Sequence, residues 1–293
     1  MTETVDPRFR DLDAWTTQEA ARAIWEGQLA AVAAVGPALP VIARAVEHAA
    51  ERLSQGSGRL AYAGAGTSAR IAVQDGTELA PTFDWPEERV AFLIAGGERA
   101  LLHAVEGAED DAEDARRRVA EARLGPQDVL IGLAASGRTP FTLAALDAAR
   151  AAGAYTIGIS NNPSPALLTT CDAPILAETG PEVVAGSTRM KAGTAQKVVL
   201  NMISTALMIR LGRVYRGLMV DMRPLNDKLR ARAVDMVARL AGCPPETAAQ
   251  ALIDAGWNVK RAVLVAGGAR PEEAARRLEA ASGNLRTALD PPA

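Results

Sequence analysis

Two short segments rich in glycine and hydroxyl side chains recur about one βα unit apart. They are Gly64-Ala65-Gly66-Thr67-Ser68, behind the apolar run 60–63, and Ala135-Ser136-Gly137-Arg138-Thr139, behind the apolar run 129–133. Each falls where a strand would feed a helix, so free backbone N–H groups and the positive end of a helix dipole converge on one point. That is chemistry for holding an anion. One such turn often serves packing alone, but two in consecutive crossover units point to a ligand. The first lacks the three-glycine GxGxxG spacing of dinucleotide binders, and the second lacks the lysine of GxxxxGK[ST]. A small phosphorylated ligand, such as a sugar phosphate, suits the pair better than a nucleotide.

The elements that must carry these turns read as an α/β domain. Five apolar runs without in/out alternation, at 59–63, 90–94, 128–133, 155–160 and 174–176, are separated by long amphipathic stretches. Runs of that kind are strands covered on both faces, which predicts a doubly wound, five-stranded parallel sheet. Before them, residues 17–55 predict two helices, capped by Thr16 or Thr17, with Ile24, Leu29, Val32, Leu39, Ile42 and Val46 at helical spacing. After the fifth strand, a long helix at about 194–211 is apolar almost all round and is expected to be buried, either centrally or against a second subunit. Short helical pieces at 245–255, 259–266 and 271–281, punctuated by Gly256, Gly267 and Gly283, predict a small C-terminal module. The expected divisions are 1–55 (helical), 56–219 (the α/β domain) and 220–293 (a joining helix and the module).

The chain has 293 residues, 48% of them hydrophobic, with a formal net charge of -3. A core is readily built, and no basic face is on offer for nucleic acid. Cys171 and Cys243 stand far apart with no neighbouring histidine pattern, and the histidines are His48 and His103. Neither a metal site nor a disulfide framework is expected, and both cysteines read as core residues. The start, Met1 to Asp6, has no basic segment followed by an apolar stretch, and no later run is expected to approach the length of a membrane span. The expectation is a cytoplasmic protein with no membrane partner.

The wording of the motifs adds a further layer. Gly64-Ala65-Gly66-Thr67-Ser68, Ala95-Gly96-Gly97-Glu98, Val105-Glu106-Gly107-Ala108-Glu109-Asp110-Asp111, the turn 134–140 and the stretch 180–197 closely resemble the N-acetylmuramic acid 6-phosphate etherases. That family belongs to the SIS (sugar isomerase) fold group. The resemblance runs from Leu12-Asp13 to the C-terminal pieces, which look like the family's UBA-like helical end. Departures are modest. Ala69 stands where many members have glycine, Asp75-Gly76-Thr77-Glu78-Leu79 replaces the commoner Asp-Ala-Ser-Glu-Cys, and Trp257 takes the place of a usual glycine.

The resemblance implies a lyase that cleaves the D-lactyl ether of N-acetylmuramate 6-phosphate, needing no cofactor and no metal. Glu78 and Glu109 match the family's two catalytic glutamates. Read without the resemblance, Glu109 lies in an acidic run that would suit a solvated face. Ser136, Gly137, Arg138 and Thr139 are candidates for the phosphate. Gly66, Thr67 and Ser68 are candidates for sugar hydroxyls or a share of the phosphate. Glu182 with Ser187, Thr188 and Arg189 resembles a ligand-side turn of other SIS proteins, and Lys191 and Lys197 are candidate complements to the anion. Two other functions fit the same fold: a sugar-phosphate-sensing regulator without turnover, and an aldose-ketose isomerase. Both glutamates argue against the first; the second commonly uses a histidine for ring opening, and neither histidine sits in a fitting motif. A homodimer with sites near the interface is expected.

Overall fold

The computed structural model of the protein describes residues 2–290. In chain order its main elements are α1 (Thr17–Ala33), α2 (Leu39–Ser54), β1 (Leu60–Gly64), α3 (Gly66–Thr77), α4 (Leu79–Phe83), β2 (Val90–Ile94), α5 (Arg99–Leu102), α6 (Ala112–Glu121) and β3 (Val129–Ala134). There follow α7 (Pro140–Ala151), β4 (Tyr155–Ser160), α8 (Pro165–Thr170), β5 (Ala173–Leu176), α9 (Lys191–Arg210), α10 (Asp227–Ala241), α11 (Pro245–Asp254), α12 (Val259–Ala266), α13 (Pro271–Ala280) and α14 (Leu285–Leu289). The chain divides into two compact units, one of residues 1–77 and 87–207, the other of 78–86 and 208–293.

In the first unit the five predicted strands form one parallel sheet in the order β2-β1-β3-β4-β5. Successive residues of β1 alternate between two layers. Ala61 and Ala63 join Leu130, Phe141, Leu146 and Val119 in the layer covered by α6 and α7. Tyr62 points the other way, to Asp75 on α3. All residues of β1, β3 and β4 are buried, as expected of strands without alternation. The long helix α9 is central, with Ala192, Ala195, Val199, Leu200, Ile203 and Leu207 fully excluded from solvent.

The N-terminal helices depart from expectation in two ways. Residues 17–54 are, by length and composition, apolar enough to cross a membrane, with a window of mean hydropathy 1.9, whereas the sequence reading expected no such run. They form two helices broken by a 3-10 turn at Gly36–Ala38, and α2 buries Ile42, Val46, Ala49 and Leu53. On α1 Ala23 and Ala31 are buried, but the large apolar residues of the other face lie open: Trp25 is 59% exposed and Leu29 52%. Capping followed the sequence, since Thr16 and Glu19 form a reciprocal capping box.

The second unit has its own core, built from Val220, Met236, Val237, Leu252, Val263 and Leu285 among others. Segment 78–86 is tied into it by Arg213, which donates to the carbonyls of Phe83 and Asp84 at 2.8 and 2.7 Å and stacks over Trp85. Lys260, only 4% exposed, is balanced by Asp221 at 2.5 Å and the Gly283 carbonyl at 2.7 Å.

Candidate active site

Parallel strands send all their carboxyl ends to one edge, and ligands of open α/β sheets gather there. The first turn leaves β1 through Gly66, whose φ of +55° suits glycine, and enters α3 directly. Thr67 is half-buried and Ser68 is 8% exposed. The second turn leaves β3, which lies beside β1 in the sheet but follows it two strands on in the chain, with β2 between. The two turns are therefore neighbours in space without belonging to consecutive crossover units as expected. Gly137 has φ +68°, and a Cβ there would stand 2.6 Å from Ser164 Cβ and 2.7 Å from Ser160 Oγ, so no other residue fits without displacement. The Arg138 N–H donates to Ser136 Oγ at 3.1 Å, which curls the turn around its own hydroxyl. Thr139 occupies the capping position of α7, where its carbonyl accepts from the Leu143 N–H at 3.1 Å while its hydroxyl makes no capping bond, and Pro140 follows it. Ser136 and Thr139 are half-buried, Gly137 is buried and Arg138 is exposed.

Behind the second turn lies a residue the sequence reading missed. Asn162 donates to the Ala135 carbonyl at 2.9 Å and accepts from the Thr2 N–H at 3.0 Å, holding the turn from below. The loop after β5 comes in at the same edge. Glu182 is 1% exposed, and its two carboxylate oxygens accept from the N–H groups of Lys191 and Ala192, each at 2.9 Å. It thereby caps α9 with a negative charge at the positive end of the dipole. Lys191 turns back to the Pro181 carbonyl at 2.9 Å. Ser187 and Thr188 are half-buried and Arg189 is exposed. The Thr188 carbonyl accepts from the Gly193 N–H at 2.9 Å. At Gly193 α9 also comes close to the first turn and to α3: a Cβ there would meet Ile71 at 3.2 Å, the Thr188 carbonyl oxygen at 3.3 Å and Thr67 at 3.6 Å. The 187–189 turn and Thr67 thus meet around one glycine. Lys197 acts on Asp75, a buried carboxyl that its charge helps to keep ionised.

Glu109 sits in a 3-10 turn at Ala108–Asp110, after Gly107 with φ +72°, and is exposed. Its loop rests on the end of β2. At Gly96, φ is +77°, and a Cβ would stand 2.9 Å from Val105 Cβ and 3.2 Å from Ala108 Cβ. The Ala95-Gly96-Gly97 motif is therefore the seat of the Glu109 loop. β2, β1 and β3 are neighbours in the sheet, so the Glu109 loop and both glycine-hydroxyl turns line up on one edge. Glu78 belongs to the second unit, where it is exposed, precedes α4, and accepts through its carbonyl from the Thr82 N–H at 3.2 Å.

Comparison with known proteins places the chain in a family. Residues 41–150 match the N-terminal SIS domain of glucokinase regulatory protein, and residues 108–206 match the SIS domain. N-acetylmuramic acid 6-phosphate etherase from Deinococcus radiodurans is 50% identical over 98% of this chain and 94% of its own length. The chain belongs to the N-acetylmuramic acid 6-phosphate etherase family. The etherase from Streptomyces avermitilis is 47% identical over 98% of this chain and 93% of its own. Among solved structures, a phosphoheptose isomerase from Francisella tularensis superposes with a TM-score of 0.51 at 18% identity, over 66% of this chain and 98% of that one, which reports the shared fold.

Proposed function

We propose that this etherase-family enzyme cleaves the lactyl ether of N-acetylmuramate 6-phosphate by elimination and water addition, with Glu109 as base and Glu78 as acid. The observation that carries the reaction is a match at 50% identity along nearly the whole chain to a named etherase. In the open-chain sugar the proton on carbon 2 lies alpha to the aldehyde and is acidic. Glu109 removes it while protonated Glu78 gives a proton to the ether oxygen on carbon 3. The carbon-oxygen bond breaks, D-lactate leaves, and a carbon-carbon double bond joins carbons 2 and 3. Water then adds at carbon 3, giving its proton to Glu78, and Glu109 returns its proton to carbon 2. The products are N-acetylglucosamine 6-phosphate and D-lactate, and both carboxyls end as they began. Each placed proton transfer contributes about 10²–10⁴-fold.

Ser136, Gly137, Arg138 and Thr139 are assigned to the phosphate, supported by the fold of the turn around Gly137 and by the uncommitted Thr139 hydroxyl. Gly66, Thr67 and Ser68 are assigned to sugar hydroxyls or a share of the phosphate. Glu182 and Lys191 shape the loop that presents Ser187 and Thr188. A homodimer completes the reading. Its support is the uncovered apolar stripe of α1, where Trp25, Leu29 and Val32 recur at helical spacing and are 59%, 52% and 48% exposed. The reading also places the reaction in the cytoplasm, since a charged sugar phosphate does not cross a lipid bilayer unaided. Incubation with N-acetylmuramate 6-phosphate is expected to release D-lactate and N-acetylglucosamine 6-phosphate in equal amounts. Tight binding of that substrate without lactate release would favour the regulator instead.

A further inference from the structure

A buried chain of hydrogen bonds runs behind the two turns. Ser68 Oγ donates to Gln196 Oε1 at 2.9 Å, Gln196 Nε2 donates to Asn161 Oδ1 at 3.0 Å, and Asn161 Nδ2 donates to the Ala177 carbonyl at 3.1 Å. Gln196 is 1% exposed and Asn161 is wholly buried. The sense of the chain is set at its far end. A backbone carbonyl can only accept, so Asn161 must turn its amide nitrogen to Ala177 and its oxygen to Gln196. Gln196 then offers its nitrogen to Asn161 and its oxygen to Ser68. The single Ser68 hydroxyl proton is committed inward, and only lone pairs face outward.

That polarity has a chemical consequence. A hydroxyl without a proton to give cannot bond a phosphate oxygen, which is itself an acceptor. It can accept from a sugar O–H or an amide N–H. The same Asn161 also steadies the other turn, because its backbone N–H donates to the Ala135 carbonyl at 3.1 Å. One buried residue therefore braces both glycine-hydroxyl turns.

We propose that Gln196, backed by Asn161, is a positioning residue that holds Ser68 as a hydrogen-bond acceptor, making Ser68 a reader of a ligand O–H or N–H group and not of the phosphate. The inference rests on the sugar-phosphate reading above and divides the labour between the two turns. The test compares two probes on the full-length protein, N-acetylglucosamine 6-phosphate and ethyl phosphate, titrated with the ligand signal followed by phosphorus NMR. Ethyl phosphate carries the phosphate and no hydroxyl or amide of its own. Gln196→Met is expected to weaken binding of the sugar phosphate about tenfold and to leave ethyl phosphate within about twofold, the size of one lost hydrogen bond. Ser68→Ala is expected to show the same selectivity. The double variant is expected to bind no more weakly than Ser68→Ala, since Gln196 acts through that hydroxyl.

Equal losses for both probes would overturn the inference, because Ser68 would then serve the phosphate. Additive losses in the double variant would reduce Gln196 to a fold support and overturn it as well. Should Gln196→Met fail to fold, Ser68→Ala decides alone: a selective loss supports the inference and an unselective one, or none, overturns it. Wild-type protein that bound neither probe would strike down the sugar-phosphate reading itself, an outcome distinct from binding that the variants weaken without selectivity.

Discussion

Tyr62 and Asp75 are joined beneath the sheet by a hydrogen bond of 3.1 Å from the phenol to the carboxylate, with Asn201 and Ser204 of α9 completing the set at 2.7 and 3.1 Å. A strand and two helices are pinned by one buried carboxyl. Burial raises the Asp75 carboxyl above its ordinary value of 3.8, and the bonds from Asn201, Ser204 and Tyr62, with the Lys197 charge, offset this only in part.

The sign of the resulting pH dependence follows from linkage. A carboxyl with a raised folded value keeps its proton in the folded chain after the unfolded chain has lost it. Its contribution is fully present below the unfolded value near 3.8 and is lost as pH rises through the raised folded value. Asp75→Asn cannot ionise. Measured by urea unfolding, the wild type is expected to lose more stability than Asp75→Asn as pH rises from about 4. Parallel curves for the two proteins would show that Asp75 titrates alike in both states.

The carboxylate assignment demands a loss of rate without a loss of fold. Glu78→Gln and Glu109→Gln are each expected to cut turnover by at least about 10²-fold, the lower bound for a general acid or base. Both residues are exposed, so the melting temperature is expected to hold. Exchange of the carbon 2 proton with deuterated water separates their roles. Glu109→Gln is expected to abolish exchange; wild-type exchange in that variant, with loss in Glu78→Gln, would swap acid and base.

Damage to the phosphate turn has a different signature, because hydroxyls that hold a phosphate serve ground state and transition state alike. Ser136→Ala combined with Thr139→Val is expected to raise KM by the equivalent of about 1.5–3 kcal/mol per lost bond to the charged group, with a smaller change in kcat. Discrimination between phosphorylated and unphosphorylated sugar is expected to fall with it. Wild-type KM in this variant would place the phosphate elsewhere.

In the second unit, Trp257 stands with φ +63° immediately after Gly256 at +61°. Left-handed backbone costs a side-chain-bearing residue roughly 1–2 kcal/mol, a cost that Trp257 offsets by packing on the core and by the Arg230 guanidinium, 5.2 Å from its ring centroid. Replacing Trp257 with alanine keeps the strain and removes the contacts, whereas glycine removes both. Trp257→Gly is therefore expected to be more stable than Trp257→Ala by about 1 kcal/mol in thermal unfolding. An alanine variant as stable as the glycine one would mean that the loop relaxes out of the left-handed region.

Much of the fold was legible because its signals are local. The first strand was expected at 59–63 and is Leu60–Gly64; the second and fourth, at 90–94 and 155–160, coincide with Val90–Ile94 and Tyr155–Ser160. Apolar runs and the glycines that end them are written in consecutive residues. The start of α9 was not legible. Expected near Thr194, it begins at Lys191 because Glu182, nine and ten residues upstream, supplies the cap. No capping residue next to the helix announces that.

Faces and partners were decided only in three dimensions. Helical spacing marked Ile24, Leu29, Val32, Leu39, Ile42 and Val46 as the apolar positions of two helices, yet of these only Ile42 and Val46 are buried. Periodicity says that a face is apolar, and tertiary packing says what lies against it. Gln196 carried a faint signal, as a polar residue inside a helix apolar almost all round. Its partners are Ser68, 128 residues away, and Asn161, 35 residues away. The sequence by itself determined which chemical groups the chain owns and which segments become strands and helices, because those follow from neighbours along the chain. Which hydroxyl keeps its proton, and which carboxylate caps a helix, was decided by the tertiary structure, because buried polar groups take their partners from whatever folding brings within 3 Å.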